Sequence, residues 1–129
     1  SLSWYEGGLA STYLRLNKVG KAVELLESTL SRIRREKDRW SLPMIERLLA
    51  EAYIRLGEKH YLKAEPLLKD SLENAREMKA MWFELEALAV LQANFPHESY
   101  RILLQQLAIE IDEGEETRVM KKVKDLIND

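Results

Sequence analysis

Few residues of this chain have the types and spacing that chemical sites require. His60 and His97 are 37 residues apart, whereas metal-binding histidines usually lie close in sequence on one helix face. The chain has no cysteine, which excludes disulfides, thiolate zinc sites and cysteine nucleophiles. Segment 19–22 (VGKA) contains a Gly-Lys pair. It lacks the first glycine of a phosphate-binding loop, five residues before the second glycine, and the Ser or Thr that follows the lysine. We therefore predict no catalytic, cofactor-binding or metal-binding residues, and a protein that is not an enzyme.

Charged residues form two kinds of cluster. Glu84, Glu86 and the acidic residues of segment 113–116 are expected on solvated surfaces, because an acid–base pair needs two environments that separate the two pKa values. The basic residues of segment 32–39 are interleaved with acidic ones, and most fall in the last turns of a predicted helix, where cations favour the helix dipole. Since Lys and Arg number 20 against 22 Asp and Glu, we predict no direct contact with nucleic acid.

The composition favours long helices over strands. Ala, Leu, Glu, Lys and Arg together make up more than half of the 129 residues, whereas Val, Ile and Thr are few. The hydrophobic fraction of 46% is high enough for a buried core. No apolar run is long enough to span a bilayer. We therefore predict a cytoplasmic protein that does not associate with membranes, and the absence of cysteine suits that compartment.

A repeat of 40 to 42 residues runs through the chain. Residues 9–16 (LASTYLRL) and 49–56 (LAEAYIRL) are identical at five of eight positions. Residues 25–30 (LLESTL) are similar to residues 67–72 (LLKDSL). A third, weaker copy follows within residues 90–104. A period of this length is typical of proteins built from stacked structural units.

The spacing of apolar residues predicts two helices in each copy of the repeat. The predicted helices span about residues 3–16, 18–38, 43–56, 60–79, 82–95, 96–111 and 116–127. Pro43 suits a first helical position and Gly57 suits a helix end. Pro66 is expected in the first turn or two of its helix, because an interior proline kinks a helix. Segment 112–114 (DEG) is expected to break the chain before the last helix.

These helices predict an all-α fold, a right-handed α-solenoid of about three helix-turn-helix repeats with about seven helices. The predicted repeats and the capping helix occupy residues 3–39, 40–80, 81–111 and 116–127. The capping helix is expected to cover the exposed end of the stack. We treat residues 1–129 as a single domain and as a fragment of a longer protein, because the helical pattern is already under way at Trp4.

The tryptophans are expected to have different roles. Trp40 and Trp82 are 42 residues apart and precede the first helix of a repeat in equal register. We expect both to be buried in the packing between repeats, where each contributes about 2–3 kcal/mol by area. Trp4 falls at the N-terminal edge and is expected to be exposed there.

The repeated residues resemble the tetratricopeptide repeat. That family places a small residue, an aromatic residue three positions later, a second small residue and then a large apolar residue. The first two copies hold Ala10, Tyr13, Ala22 and Leu26, and Ala50, Tyr53, Ala64 and Leu68. The third copy departs from the pattern with Gln92, Phe95 and Tyr100. The chain is most similar to the 42-residue variety found in kinesin light chains and in the C-terminal arrays of signalling ATPases and maltose-type transcription regulators.

The resemblance implies that the first helix of each pair lines a concave groove in which a partner binds. The residues of this predicted groove are Trp4, Ser11, Leu14, Arg15, Met44, Arg47, Glu51, Ile54, Arg55, Glu86, Ala89, Ala93 and His97. Arg15, Arg47 and Arg55 suit bidentate contacts with the carboxylates of an extended peptide. The alternative is that these arginines lie exposed to solvent on a helix face or form an ion pair with Glu51.

The function implied by the resemblance is that of a non-enzymatic protein–protein interaction module within a larger signalling or transcription regulator. Its partner is expected to be a protein or peptide, or other domains of its parent chain. Two alternatives remain open. One is an effector-sensing domain that binds a small molecule in an enclosed apolar pocket of the groove. The other is self-association through the N-terminal edge, at Trp4, Tyr5 and Leu9.

Overall fold

The computed structural model describes residues 1–127, which form six α-helices joined by short connections. The helices are α1 (Leu2–Arg15), α2 (Val19–Glu36), α3 (Leu42–Leu56), α4 (Glu58–Glu77), α5 (Met81–Asn94) and α6 (Glu98–Ile127). No strand occurs in this part of the chain, so the predicted all-α class is confirmed. The last two residues of the predicted domain, 128 and 129, lie outside the described residues.

The turns that connect the first five helices use left-handed backbone conformations. Gly57 ends α3 with a φ of 72°, and its N–H donates to the carbonyl of Tyr53 at 3.0 Å. This confirms Gly57 as a helix end, since glycine adopts positive φ without steric cost. Lys37 after α2 and Lys79 after α4 have φ values of 58° and 57°. These two lysines are 42 residues apart, so the backbone follows the period of the sequence.

Each helix packs on the next helix in the chain, and α3 also contacts both α1 and α5. The first helices of the three predicted pairs therefore lie side by side, with α3 in the middle. Within the described residues, α2 packs against α1 and α3, and α4 packs against α3 and α5. One continuous core joins the helix pairs.

The small residues at matching repeat positions are buried to the same extent. Ala10 and Ala50 are fully buried, and so are Ala22 and Ala64. The small side chains at these positions allow neighbouring helices to approach closely. Leu26 and Leu68, together with the other large apolar residues, fill the space between the helices.

The predicted break at residues 112–114 is wrong, because α6 continues through Gly114 to Ile127. A single interior glycine costs only about 1 kcal/mol in a helix. The flanking residues favour helix, and Arg118 forms an ion pair with Glu115 one turn earlier. Residues 116–127 are therefore the end of α6 and not a separate capping helix. They are exposed and do not cover the core, so the described residues contain six helices where about seven were predicted.

Two further expectations are corrected by the structure. Pro66 lies in the third turn of α4, beyond the predicted first turn or two. Pro66 is exposed. Because proline has no N–H, the carbonyl of Leu62 lacks its usual helical hydrogen bond, and Leu62 is 76% exposed to water. Trp40 and Trp82 are 74% and 61% exposed and are not buried between repeats. Trp40 lies in the turn before α3, and Trp82 is the second residue of α5.

Candidate functional site

The residues of the predicted groove lie mainly on the three adjacent helices α1, α3 and α5. Trp4, Ser11, Leu14 and Arg15 are on α1, Met44, Arg47, Glu51, Ile54 and Arg55 are on α3, Glu86, Ala89 and Ala93 are on α5, and His97 directly precedes α6. The contacts described below show which of these residues the fold brings together. They also show which side chains are already engaged within the chain.

Arg47 joins α3 to α5. Its guanidinium lies 2.7 Å from Glu51, one turn along the same helix, and 2.9 Å from Glu86 on α5. Only 16% of the Arg47 side chain is exposed. Burial raises the pKa of Glu51, and the neighbouring Arg47 charge partly opposes that rise. Two carboxylates thus neutralise this arginine, which agrees with the alternative that it bridges to Glu51.

The other two arginines of the predicted groove contact α1. Arg55 donates a hydrogen bond to the backbone carbonyl of Leu14 at the end of α1. A cation is favourable at this position, because the carbonyls of the last helical turn carry partial negative charge. Arg15 donates to the hydroxyl of Thr12 at 3.1 Å. Arg55 therefore ties α3 to α1, and both arginines remain at the surface.

A cavity of about 350 Å³ lies between α3 and α5 and is open to solvent. We call it the α3–α5 cavity. It is lined by Glu51, Ile54, Arg55, Ala89, Val90, Ala93 and Asn94. Its volume falls within the range of about 300–1,000 Å³ that is typical of ligand sites. Because Ala89 and Ala93 are exposed, their short side chains leave room for an incoming group between the helices.

The end of α5 beside this cavity is held in place by hydrogen bonds. The hydroxyl of Tyr61 donates to the backbone carbonyl of Asn94 at 2.7 Å. The side-chain amide of Asn94 donates to the carbonyl of Val90 at 2.9 Å. The cavity wall is therefore fixed by contacts between α4 and α5 as well as by the Arg47 ion pairs.

Side chains of α1 and α5 meet across α3 at the end of the predicted groove opposite the α3–α5 cavity. The rings of Trp4 and Phe83 have centroids 6.1 Å apart and an interplanar angle of 32°. Beneath them, a Cβ added to Gly7 would lie 2.5 Å from Cε of Met44. Gly7 is therefore where α1 and α3 approach each other closely. Trp4 and Phe83 thus bring the side chains of α1 and α5 together at this end.

Two residues of the predicted groove have other positions or roles. Leu14 is 7% exposed and belongs to the core, so its side chain is not available to a partner. His97 accepts the backbone N–H of Ser99 through Nδ1 at 3.1 Å and also contacts the hydroxyl of Ser99 at 2.8 Å. This contact satisfies a free N–H in the first turn of α6. His97 is thus a helix-capping residue in the structure.

Sequence reasoning missed three residues of this surface: Phe83, Val90 and Asn94. Phe83 is three residues before Glu86, and Val90 is four residues after it. Phe83, Glu86 and Val90 therefore share one face of α5. Extending the groove along this face from Glu86 would have found Phe83 and Val90. Asn94 follows Val90 by a further four residues.

Some of the charged residues considered as possible chemical sites form ion pairs. Glu84 was expected on a solvated surface, but its side chain is 14% exposed and lies 3.1 Å from Arg76. In the basic segment, Arg32 binds both carboxylate oxygens of Glu6, and its hydrogen bond lowers the pKa of Glu6. Among the described residues, no group of three or more His, Asp or Glu side chains is placed to hold a metal ion. None of the six helices has the length and apolarity of a membrane span.

The N-terminal edge exposes apolar side chains. Leu2, Tyr5 and Leu9 on α1 are 62%, 80% and 46% exposed. Beside them is a shallow cavity of about 440 Å³ lined by Trp4, Tyr5, Gly8, Leu9 and Thr12. This edge is the surface that was predicted to mediate self-association.

Comparison with known proteins gives no assignment. No family model, no curated protein and no solved structure matches this chain. What can be inferred about its function therefore depends on its residues and on the geometry described above.

Proposed function

We propose that this chain is a non-enzymatic, tetratricopeptide-like helical-repeat domain that binds a protein or peptide segment in the surface formed by α1, α3 and α5. In this proposal the helix pairs form a short right-handed solenoid within a larger signalling or transcription regulator. The first helices of the pairs line its concave side. The observation that carries the proposal is the α3–α5 cavity, to which Glu51, Ile54, Arg55 and Ala93 of the predicted groove contribute.

The contacts between helices support the solenoid. In a stack of helix pairs, each helix contacts the next one in the chain, and the first helices of adjacent pairs also contact each other. The contacts of α3 with both α1 and α5 have this pattern. The matched burial of Ala10 with Ala50, and the matched backbone of Lys37 and Lys79, agree with a repeating unit.

The shape of the cavity favours a peptide over a small effector. An effector pocket buries most of its ligand in an enclosed site, whereas the α3–α5 cavity is open to solvent. An open site between two parallel rows of side chains suits an extended chain that enters from one end and leaves at the other.

The chemistry of the cavity favours a small or medium apolar side chain as the anchor of that peptide. Ile54, Ala89, Val90 and Ala93 provide apolar walls, and burial of one Val- or Leu-sized side chain contributes about 1.5–3 kcal/mol. Arg55 at the rim is exposed and suits a polar contact with the peptide. Because Arg47 is already paired with two carboxylates, we do not expect it to be the main contact of a peptide carboxylate.

The test uses a library of random peptides selected against the immobilised wild-type chain. Selected peptides are then measured by fluorescence anisotropy on Ala93→Arg, which fills the cavity, and on Ala108→Arg. Ala108 is an exposed alanine on α6 that lies outside the cavity, so this variant is a matched control. We expect the selected peptides to bind the control like the wild type and to bind Ala93→Arg at least about tenfold more weakly, equal to about 1.4 kcal/mol.

The proposal is wrong if the selected peptides bind Ala93→Arg as tightly as the wild type. A library that yields no binding peptide also contradicts it. Both variants should keep the helical circular dichroism spectrum of the wild type, because both positions are exposed on the surface of a helix.

A further inference from the structure

The N-terminal edge carries a continuous row of uncharged, mainly apolar side chains. They recur at every third or fourth position along α1 and its C-terminal cap, so they share one side of the helix. We call them the edge row: Leu2, Tyr5, Leu9, Thr12 and Leu16. Thr12 is partly buried, and the other four are exposed. The row extends over the whole length of α1.

The second copy of the repeat buries the same positions. Forty residues after the edge row, α3 carries Leu42, Ile45, Leu49, Ala52 and Leu56. The first four of these residues are at most 7% exposed.

The burial of these α3 residues comes at least in part from the preceding helix pair. A Cβ added to Gly7 of α1 would lie 3.2 Å from Cδ1 of Ile45. Leu49 lines a cavity together with Leu30 of α2. The edge row is therefore the face of α1 that corresponds to a packing face of α3. Within the described residues, α1 packs only on α2 and α3, and four of the five positions of the row stay exposed.

A hollow lies beside the centre of the edge row. Gly8 stands where the second copy has Leu48, and a Cβ added to Gly8 would have no heavy atom within 4 Å. The shallow cavity of about 440 Å³ at the N-terminal edge is lined in part by Gly8 and Leu9. A second helix can therefore approach α1 closely at this point, because glycine has no side chain to hold it away.

We propose that the edge rows of two copies of this chain pack against each other, with the two α1 helices antiparallel and centred near Leu9. Leu2 and Leu16 are seven residues before and after Leu9, so Leu2 of each copy lies beside Leu16 of the other. Leu9 of each copy lies at the level of the hollow beside Gly8 of the other. Because the row spans all of α1, this register keeps the row against itself. The same surface is used on both copies, and the twofold interface closes the assembly at a dimer.

The charges at the ends of α1 favour the antiparallel direction. Arg15 ends α1, and Lys18 follows in the turn before α2. A parallel arrangement would place these cations beside the same cations of the other copy, which is unfavourable. The antiparallel arrangement separates them by about the length of α1, roughly 21 Å. It also sets each helix N-terminus beside a C-terminus, and these ends carry opposite partial charges.

This pairing does not use the α3–α5 cavity. That cavity is lined by residues of α3 and α5, whereas the edge row belongs to α1 and its cap. Ala93→Arg, which tests peptide binding, is therefore expected to remain dimeric. Loss of pairing and loss of peptide binding can be measured independently.

The first test is sedimentation equilibrium of the full chain and of the single variants Tyr5→Glu and Leu9→Glu. We expect the wild type to have twice its chain mass of 15.1 kDa at micromolar concentrations. Each variant is expected to dimerise at least about tenfold more weakly, because it places a carboxylate in an apolar interface. Tyr5 is 80% exposed, so Tyr5→Glu leaves the core intact even if Leu9→Glu disturbs it.

The control for this test is Leu62→Glu on α4. Leu62 is 76% exposed and lies outside the edge row, so this variant is expected to remain dimeric. Unfolding in urea verifies that the core stays folded in each variant.

The second test determines the direction of pairing by disulfide cross-linking. The chain has no cysteine, so an introduced cysteine has no other thiol to react with. Leu2→Cys and Leu16→Cys are oxidised separately and as an equimolar mixture. Because a disulfide requires Cα atoms within about 7 Å of each other, we expect cross-linked dimers on a non-reducing gel mainly from the mixture. In a parallel dimer each variant would cross-link on its own.

Three results would overturn the proposal. The first is a wild-type chain that remains monomeric up to high micromolar concentration, which would leave the edge row to a different partner. The second is a dimer that Tyr5→Glu and Leu9→Glu do not weaken, which would place the interface elsewhere on the chain. The third is cross-linking of each cysteine variant alone that is as efficient as that of the mixture, which would exclude the antiparallel arrangement.

Discussion

Arg47 on α3 and Glu86 on α5 form an ion pair of 2.9 Å across the boundary between two helix pairs. The same guanidinium lies 2.7 Å from Glu51, so one side chain connects two carboxylates on adjacent helices. Glu51 also lines the α3–α5 cavity. The ion pairs thus fix the spacing of the two helices that form the cavity walls.

We expect Arg47→Met to lower the free energy of unfolding by about 1–3 kcal/mol, because it leaves a largely buried carboxylate at Glu51 without its charged partner. Urea denaturation measures this change. The control is Arg39→Met: Arg39 lies 4.0 Å from Glu77 with 68% of its side chain exposed, and exposed pairs contribute less than about 1 kcal/mol. Equal stability of Arg47→Met and the wild type would show that the ion pairs do not hold α3 to α5.

Trp40 tests the correction made by the structure to the predicted packing between repeats. Because Trp40 is 74% exposed, Trp40→Ala is expected to reduce the free energy of unfolding by less than about 1 kcal/mol, whereas truncation of a buried tryptophan costs about 3–5 kcal/mol. Leu68→Ala serves as the buried comparison, since Leu68 is fully buried, and is expected to cost about 2–5 kcal/mol. If Trp40→Ala lowered the free energy of unfolding as much as Leu68→Ala does, the tryptophan side chain would have to be buried.

Local patterns in the sequence predicted the first five helices, whose bounds agree with the structure to within two residues. Helical spacing, Pro43 and Gly57 act over a few residues, so they can be read without knowing the fold. The buried pairs Ala10 with Ala50 and Ala22 with Ala64 followed from the same period. The path of α6 was not predicted, because one glycine within a helix-favouring segment is too weak a signal to decide between a break and a continuous helix.

The contacts of the candidate site were less predictable than its position. The sequence placed Arg47, Glu51 and Glu86 on neighbouring helices. It did not decide whether the guanidinium of Arg47 is available to a peptide or is paired with a carboxylate of the same chain. The choice depends on a distance between α3 and α5 that only tertiary packing determines. The exposure of Trp40 also depends on tertiary packing, which no local sequence pattern can predict.

Lys37 and Lys79 test the repeated backbone turns. Both have positive φ, 58° and 57°, a conformation that costs a residue with a side chain roughly 1 kcal/mol and costs glycine little. Lys37→Gly and Lys79→Gly are each expected to raise the free energy of unfolding by about 0.5–1 kcal/mol. The comparison is Lys69→Gly, an exposed position within α4, which is expected to lower it by about 1 kcal/mol. Destabilisation in all three variants would contradict the left-handed turns.

Glu46 is expected to make the stability of the protein depend on pH. It is 2% exposed and accepts a hydrogen bond from the side chain of Asn74 at 2.8 Å. Burial raises its pKa from 4.5 to about 7, and the nearby Asp70 adds to the rise. Between these two values the folded chain binds more protons at this site than the unfolded chain, so unfolding releases a proton. The contribution of Glu46 to stability therefore falls as the pH rises from about 4.5 to about 7.

The size of this effect follows from the pKa change. Each pKa unit corresponds to about 1.4 kcal/mol, so ionisation of Glu46 is expected to cost about 2–3 kcal/mol at pH 8 relative to pH 4.5. Glu46→Gln keeps the acceptor for Asn74 without the charge, and is expected to be more stable than the wild type at pH 8 by up to that amount. At pH 5 the two proteins should differ little. Urea denaturation between pH 5 and pH 8 measures the difference, with the exposed Glu73→Gln as the control, and a difference that does not change with pH would contradict a buried, titrating Glu46.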